Sequence, residues 1–169
     1  MRRRPFAWVI LIPGQWMTTL ATLGPLGQRM KAPGTVGSAV GLAWYAIVFS
    51  GAGPIGYLFL LALSIYMAMA ICEGAERYLG ERDPPSVILD EMVAMPICFI
   101  GLKDAFYIYP PWMIGLVAFG LFRIFDIFKP FGIDRLQRLS GGVGVVADDL
   151  AAAAVTCCCL HLLWWGLLL

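Results

Sequence analysis

Apolar residues come in long runs, separated by short polar intervals that hold most of the charge. The first clear run covers about residues 35–50 and ends at the turn Ser50-Gly51-Ala52-Gly53-Pro54. A second, almost uniformly apolar, covers about 55–72. The polar stretch Glu73 to Pro85 follows, and a third run covers about 85–102. Tyr109-Pro110-Pro111-Trp112 breaks the chain at an expected membrane interface. The fourth run, about 112–128, stops at Lys129-Pro130, 131–142 reads as a polar loop, and the fifth extends from about 143 to 169. Runs of this length and apolarity predict an all-α integral membrane protein. The expected bundle has about five transmembrane or half-inserted helices, preceded by an N-terminal interfacial segment, residues 1–30.

At the N-terminus, Met1-Arg2-Arg3-Arg4 and the short apolar stretch Phe6–Ile12 resemble the start of a signal peptide. Pro13-Gly14 interrupt it and no small-residue cleavage site is clear, so residues 6–28 read as a retained interfacial or half-inserted segment. Length fits a single membrane-embedded domain, 1–169. No internal repeat is visible.

Composition agrees: 60% of residues are hydrophobic, and the formal net charge of +1 gives a nucleic-acid partner no electrostatic support. Cys157-Cys158-Cys159 lie in an apolar run and read as small hydrophobes; no metal-type cysteine spacing appears. The single His161 lies near the apolar C-terminus, a poor place for a catalytic base.

The placement of charge says more than its sum. Thread the chain with the N-terminus inside and the five runs alternating across the bilayer. Every Lys and Arg except Lys103, and every acidic residue except Asp104, then falls on the inner side. The basic bias follows the positive-inside rule; the acidic bias has no such cause and points to a polar, cytoplasm-facing site built from several helix ends.

Four clusters, at 31–38, 83–91, 123–130 and 141–149, supply that site. Asp83-Pro84 reads as a helix start, with Asp83 either an N-cap or a site residue. Asp83 and Asp90 then share a helix face, with Glu91 one position around and apolar residues on both flanks. Arg123, Asp126 and Lys129 form a polar stripe on a greasy helix; an internal Arg–Asp pair explains two of them, but not the third. Gly141-Gly142-Val143-Gly144 precedes Asp148-Asp149, either as a flexible loop or as a backbone that lets an anion approach closely. In Pro33-Gly34-Thr35-Val36-Gly37-Ser38, Thr35 and Ser38 either cap a helix or offer hydroxyls to a ligand. Glu73 and Glu76 read as a solvated face, with Glu73 able to join the acidic site.

Clustered carboxylates without usable His or Cys suit a hard, oxygen-loving cation, of which Mg²⁺ is the common one. Arg and Lys beside them suit phosphate, so the set describes phosphoryl transfer at a membrane surface, hence on a lipid phosphate. Cys-dependent, Asp-x-Asp and His-nucleophile phosphatase designs find no matching residues, and the DGxxAR signature of the CDP-alcohol phosphotransferases is absent. The readings from other classes are a divalent-cation transporter and a non-catalytic membrane scaffold. The first lacks acidic groups on the outer half, and the second leaves the polar layer unexplained.

Taken in order, PGTVGS, DPPSVILDE, FRIFDIFKPFGID and GGVGVVADDLAA resemble the bacterial phosphatidylglycerophosphatase A family over roughly residues 20–155. The resemblance implies a Mg²⁺-dependent, multi-pass enzyme of the bacterial inner membrane with its site facing the cytoplasm. It would convert phosphatidylglycerol phosphate to phosphatidylglycerol and phosphate. The matched polar positions are Asp83, Asp90, Glu91, Arg123, Asp126, Lys129, Asp148 and Asp149. Gln28-Arg29-Met30-Lys31 departs from the glycine-rich, apolar approach typical of the family.

On that basis Asp90, Glu91, Asp126, Asp148 and Asp149 are the expected catalytic residues. The metal ligands come from Asp83, Asp90, Asp126 and Asp149, with Asp90, Asp126 and Asp149 direct and Glu91 or Asp148 polarising water. Arg123, Lys129, Thr35, Ser38, Gly141 and Gly142 are expected to bind substrate. A water activated by the metal is favoured as nucleophile, with an aspartyl-phosphate as the rival.

Overall fold

The computed structural model describes residues 6–168, and among these there are helices and turns but no strand. The arginines at positions 2–4 lie outside the described residues.

The N-terminal segment is a short 3-10 turn, Ala7–Leu11, followed by helices α1 (Gly14–Ala21) and α2 (Pro25–Arg29). It is not spread loosely on a surface. Phe6, Val9 and Met17 are buried with Ala70, and α1 packs along the fourth helix. Helix α3 (Pro33–Trp44) runs on through five π-helical residues, Tyr45–Phe49. Helix α4 spans Pro54–Leu79 and ends on Gly80 in the left-handed conformation. Proline occupies the first turn of α2, α3 and α4, where its missing N–H costs nothing.

The third apolar run departs from expectation. No helix starts at Asp83-Pro84: Asp83 has φ +48°, and the following residues form turns. Helix α5 covers only Leu89–Ala94 and tightens into a 3-10 segment, Met95–Phe99, with Pro96 in its first turn. These eleven residues reach about 19 Å, short of a hydrocarbon core near 30 Å. The Asp83–Asp90 pair therefore does not share a helix face.

After a short α6 (Ala105–Ile108), helix α7 runs Pro111–Phe128. It ends on Lys129, which is left-handed at φ +45°. The expected polar loop is a 3-10 segment, Pro130–Arg138, kinked at Phe131 and Gly132. Helix α8 runs Gly142–Leu168.

Among the described residues, three helical stretches are long and apolar enough to cross a membrane: Pro54–Leu79, Pro111–Phe128 and Gly142–Gly166, with mean hydropathies of 2.2, 1.6 and 1.8. The stretch Pro33–Phe49 is apolar but shorter. Their outer faces carry exposed large apolar residues such as Phe59, Leu116 and Leu162, as contact with hydrocarbon requires.

Small residues set the packing. Ala68, Cys72 and Ala75 of α4 are buried with Val145 and Val146 of α8. A side chain on Gly142 would strike the Met69 carbonyl, so glycine there lets α8 start against the α4 backbone. A second core joins Met95, Cys98 and Phe99 to Ile114, Ala118 and Phe122 of α7 and to Ala152, Ala153 and Leu160 of α8. Lys103 lines a cavity with Ser50, Pro54 and Tyr57, so it sits at the opposite end from the acidic clusters. His161 is also at that end, beside Gly101, with Nδ1 2.9 Å from the Cys157 carbonyl oxygen.

Candidate active site

The start of α3, the loop before α5, the end of α7 and the first turns of α8 enclose one cavity of about 320 Å³. Its lining includes Gly34, Asp83, Asp90, Glu91, Arg123, Asp126, Lys129, Asp148 and Asp149, so all four sequence clusters meet there, the last through its two aspartates rather than its glycines.

Within it, Asp90, Glu91 and Asp149 each offer a carboxylate oxygen within 4.8 Å of the others. Asp90, Asp148 and Asp149 are 5%, 3% and 4% exposed. Burial first, and the neighbouring Glu91 second, push the Asp90 carboxyl well above its ordinary range. Burial, reinforced by Asp149, pushes Glu91 up to about 8. Anions this crowded and this dry are unfavourable unless something positive joins them. Glu91 Oε2 and Asp148 Oδ1 are buried without a hydrogen-bond partner. The close fit of Gly34 explains part of the geometry: a Cβ there would collide with Glu91 Oε1 and lie 3.1 Å from the Arg123 guanidinium nitrogens.

The cations are already oriented. Arg123 Nη1 donates to Asp126 Oδ2 at 2.7 Å and to Ser38 Oγ at 3.3 Å, and lies 3.8 Å from Glu91 Oε1. Lys129 Nζ donates to Asp148 Oδ2. For Lys129, burial alone lowers the pKa, but the contact with Asp148 and the field of Asp126 and Asp149 outweigh it, and the net shift is upward.

The remaining expected residues are placed differently. Asp126 lines the cavity beside Arg123 but is outside the group of three, which takes Glu91 instead. Asp83 is at the rim: its Oδ2 accepts from Gln137 Nε2 at 3.1 Å, and its backbone N–H donates to Glu76 Oε1 at 2.9 Å. Burial, and then the nearby Asp148, raise its pKa. Ser38 is buried with its hydroxyl on the Gly34 carbonyl and Arg123, while Thr35 is exposed and outside the cavity lining. Gly141 lines a neighbouring cavity of about 370 Å³ with Glu76, Arg82 and Gln137, which shares Asp83 and Val145 with the first. Glu73 does not join the acidic group; it is buried in an ion pair with Arg77. Sequence reasoning missed Arg82 and Gln137. Arg82 donates to the Gln137 and Leu139 carbonyls, tying the loop after α4 to the loop before α8. Nothing in their spacing signals that contact.

Chemically, the cavity offers a carboxylate trio fit for a hard cation, two cations fit for phosphate oxygens and one free carboxylate oxygen able to accept a proton. Comparison with known proteins finds relatives named as lipid phosphatases. A family model described as Phosphatidylglycerophosphatase A matches residues 19–164. A protein named phosphatidylglycerophosphatase A from Haemophilus influenzae is 34% identical over 125 residues, covering 73% of this chain and 74% of its own. One of the same name from Escherichia coli is 29% identical over 126 residues, covering 73% and 69%. A Bacteroides thetaiotaomicron protein, whose name gives it provisionally as a phosphatidylinositol-3-phosphatase, is 36% identical over 125 residues, covering 70% and 75%. No solved structure matches the chain. With a family model covering most of its length and a curated relative 34% identical over 73% of the chain, the chain belongs to the phosphatidylglycerophosphatase A family.

Proposed function

We propose that this membrane-embedded lipid phosphatase hydrolyses the terminal phosphomonoester of phosphatidylglycerol phosphate in a Mg²⁺-dependent reaction, at the cytoplasmic face of a bacterial inner membrane. Membership of the family makes the chain a phosphoric monoester hydrolase acting on lipid in phosphatidylglycerol synthesis. The observation that carries the finer reading is one cavity that joins Asp90, Glu91 and Asp149 to Arg123 and Lys129.

The donor set fits Mg²⁺: all oxygen, all acidic, with an orphaned oxygen on Glu91. Asp90, Glu91 and Asp149 would hold it, and when bound it would neutralise their mutual repulsion and draw charge from the phosphoryl oxygens. Arg123 and Lys129 bind the remaining phosphate oxygens. Asp126 and Asp148 orient these two cations, and Ser38 fixes Arg123 from the other side. Asp148 Oδ1, buried and unpartnered, is the acceptor available for a proton from the attacking water. As the water oxygen bonds to phosphorus, the ester P–O bond breaks, and the proton taken up by Asp148 passes to the leaving alkoxide, which departs as the lipid alcohol.

Cytoplasmic orientation is supported by the cations gathered at the site end of the bundle, with Lys103, among the described residues, alone at the other. The cavity draws its lining from residues 33–149, which supports reading the chain as one domain.

The test is phosphate release by purified protein in detergent, with and without Mg²⁺. Phosphatidylglycerol phosphate, phosphatidic acid, phosphatidylinositol 3-phosphate and a soluble phosphomonoester are the substrates. Mg²⁺-dependent release fastest from phosphatidylglycerol phosphate is expected. Equal rates on all four refute headgroup specificity, and no release from any favours a transporter or scaffold.

A further inference from the structure

Phe131 is out of place by every ordinary rule. It belongs to the polar connection between α7 and α8, yet it is 87% exposed. Its φ is +62°, a conformation that bulky L-residues avoid. Two residues earlier, Lys129 is also left-handed at φ +45°. Outside glycine, such geometry is unfavourable and persists where surrounding structure imposes it.

The turn has two faces. Inward, Lys129 reaches Asp148 and lines the acidic cavity. Outward, Phe131 is exposed, and it follows shortly after Ile124, Ile127 and Phe128, exposed apolar residues on one face at the end of α7, the last 76% exposed. The Cα atoms of Lys129 and Phe131 are at most about 7 Å apart, since two residues span no more. A strained turn thus links a cation for the phosphate to an aromatic wall beside it.

We propose that Phe131, with Phe128, is the docking surface for the acyl-glycerol part of the lipid substrate while its terminal phosphate lies on Lys129 and Arg123. The inference rests on the reading of this site as a lipid phosphatase. The occupant follows from continuity: a phosphomonoester held at Lys129 must keep its hydrocarbon in the bilayer, and the apolar strip begins on that same turn. The pair determines specificity for lipid over soluble phosphate and takes no part in the chemistry. It acts on KM, because the contact is equal in ground and transition states.

The experiment measures phosphate release from phosphatidylglycerol phosphate in mixed micelles, with the lipid varied at constant detergent. Deacylated headgroup phosphate is the second substrate. Phe131→Gly removes the aromatic ring and suits the left-handed backbone, so it does not threaten folding. Burying a phenyl ring partially in an apolar contact predicts a rise in lipid KM of about fivefold or more. The kcat should stay within roughly twofold, and the rate on the deacylated substrate should not change. Phe131→Leu should recover most of the loss, since it restores apolar contact. An unchanged lipid KM in Phe131→Gly overturns the proposal while the phosphatase reading stands. So does an equal fall on both substrates, or a fall confined to kcat. Wild-type protein inactive on both substrates overturns the phosphatase reading itself and the proposal with it.

Discussion

Glu91→Gln separates stability from activity, because the three carboxylates repel one another whenever no cation sits among them. Gln keeps the shape of the side chain and cannot ionise. In the folded protein the Glu91 carboxyl titrates at about 8, against an ordinary 4.5. Between these values the cation-free fold holds a proton that the unfolded chain has lost, so its stability falls as pH rises through that window. At about 1.4 kcal/mol per pH unit, ionising Glu91 costs the fold roughly 5 kcal/mol by pH 9, an upper figure because local relaxation reduces it. The assay is thermal unfolding in detergent with EDTA, at pH 5 and pH 9. The two proteins should melt together at pH 5. At pH 9 the variant should melt higher by at least about 5 °C, given roughly 2–4 °C for each kcal/mol at this chain length. Mg²⁺ should raise the wild-type melting temperature more at pH 9 than at pH 5, because at the lower pH it must displace a proton. It should raise the variant's less, and the variant should lose phosphate release. A variant no more stable than wild type at pH 9 in EDTA, or one that retains Mg²⁺-dependent turnover, refutes the reasoning.

Arg123→Lys keeps the charge but cannot engage Asp126, Ser38 and a phosphate together; kcat/KM should fall by about 10²-fold or more with the fold intact by circular dichroism. Arg123→Ala leaves the Asp126 carboxylate without its partner in a largely buried position, and should destabilise by roughly 3–5 kcal/mol in denaturant titrations. Gly34→Ala pushes a methyl group into Glu91 and Arg123; Mg²⁺ affinity and turnover should both drop, while the melting temperature changes little. Gly142→Ala meets the Met69 backbone instead, so it should separate α4 from α8 and lower stability by more than about 1–3 kcal/mol, read as a lower melting temperature and loss of folded yield.

Hydropathy runs and their breaks were enough to read an all-helical membrane protein, because a chain in hydrocarbon must satisfy its backbone within each segment. They located α4, α7 and α8 to within a few residues, apart from the extra turns that carry α4 through Glu73 and Arg77 to Leu79. The polar clusters could be read for the same reason: an ionised group is too costly beside hydrocarbon to stand there idly. Periodicity misled at the third run. Asp83 looked like a helix cap because Asp-Pro is a good opening, but the chain turns through a left-handed residue and delays the helix to Leu89. Local preference lost to the loop contact between Arg82, Gln137 and Asp83, whose partners are more than fifty residues apart. The same limit applies inside the cavity. Composition identified the carboxylates and cations that would meet, and motif order identified the family. Which carboxylate faces which partner was decided only when α3, α5, α7 and α8 packed together. Asp126 then falls to Arg123 and Asp148 to Lys129, leaving Glu91 beside Asp90 and Asp149, because each choice depends on helix rotation and on distances of a few ångströms between segments far apart in sequence.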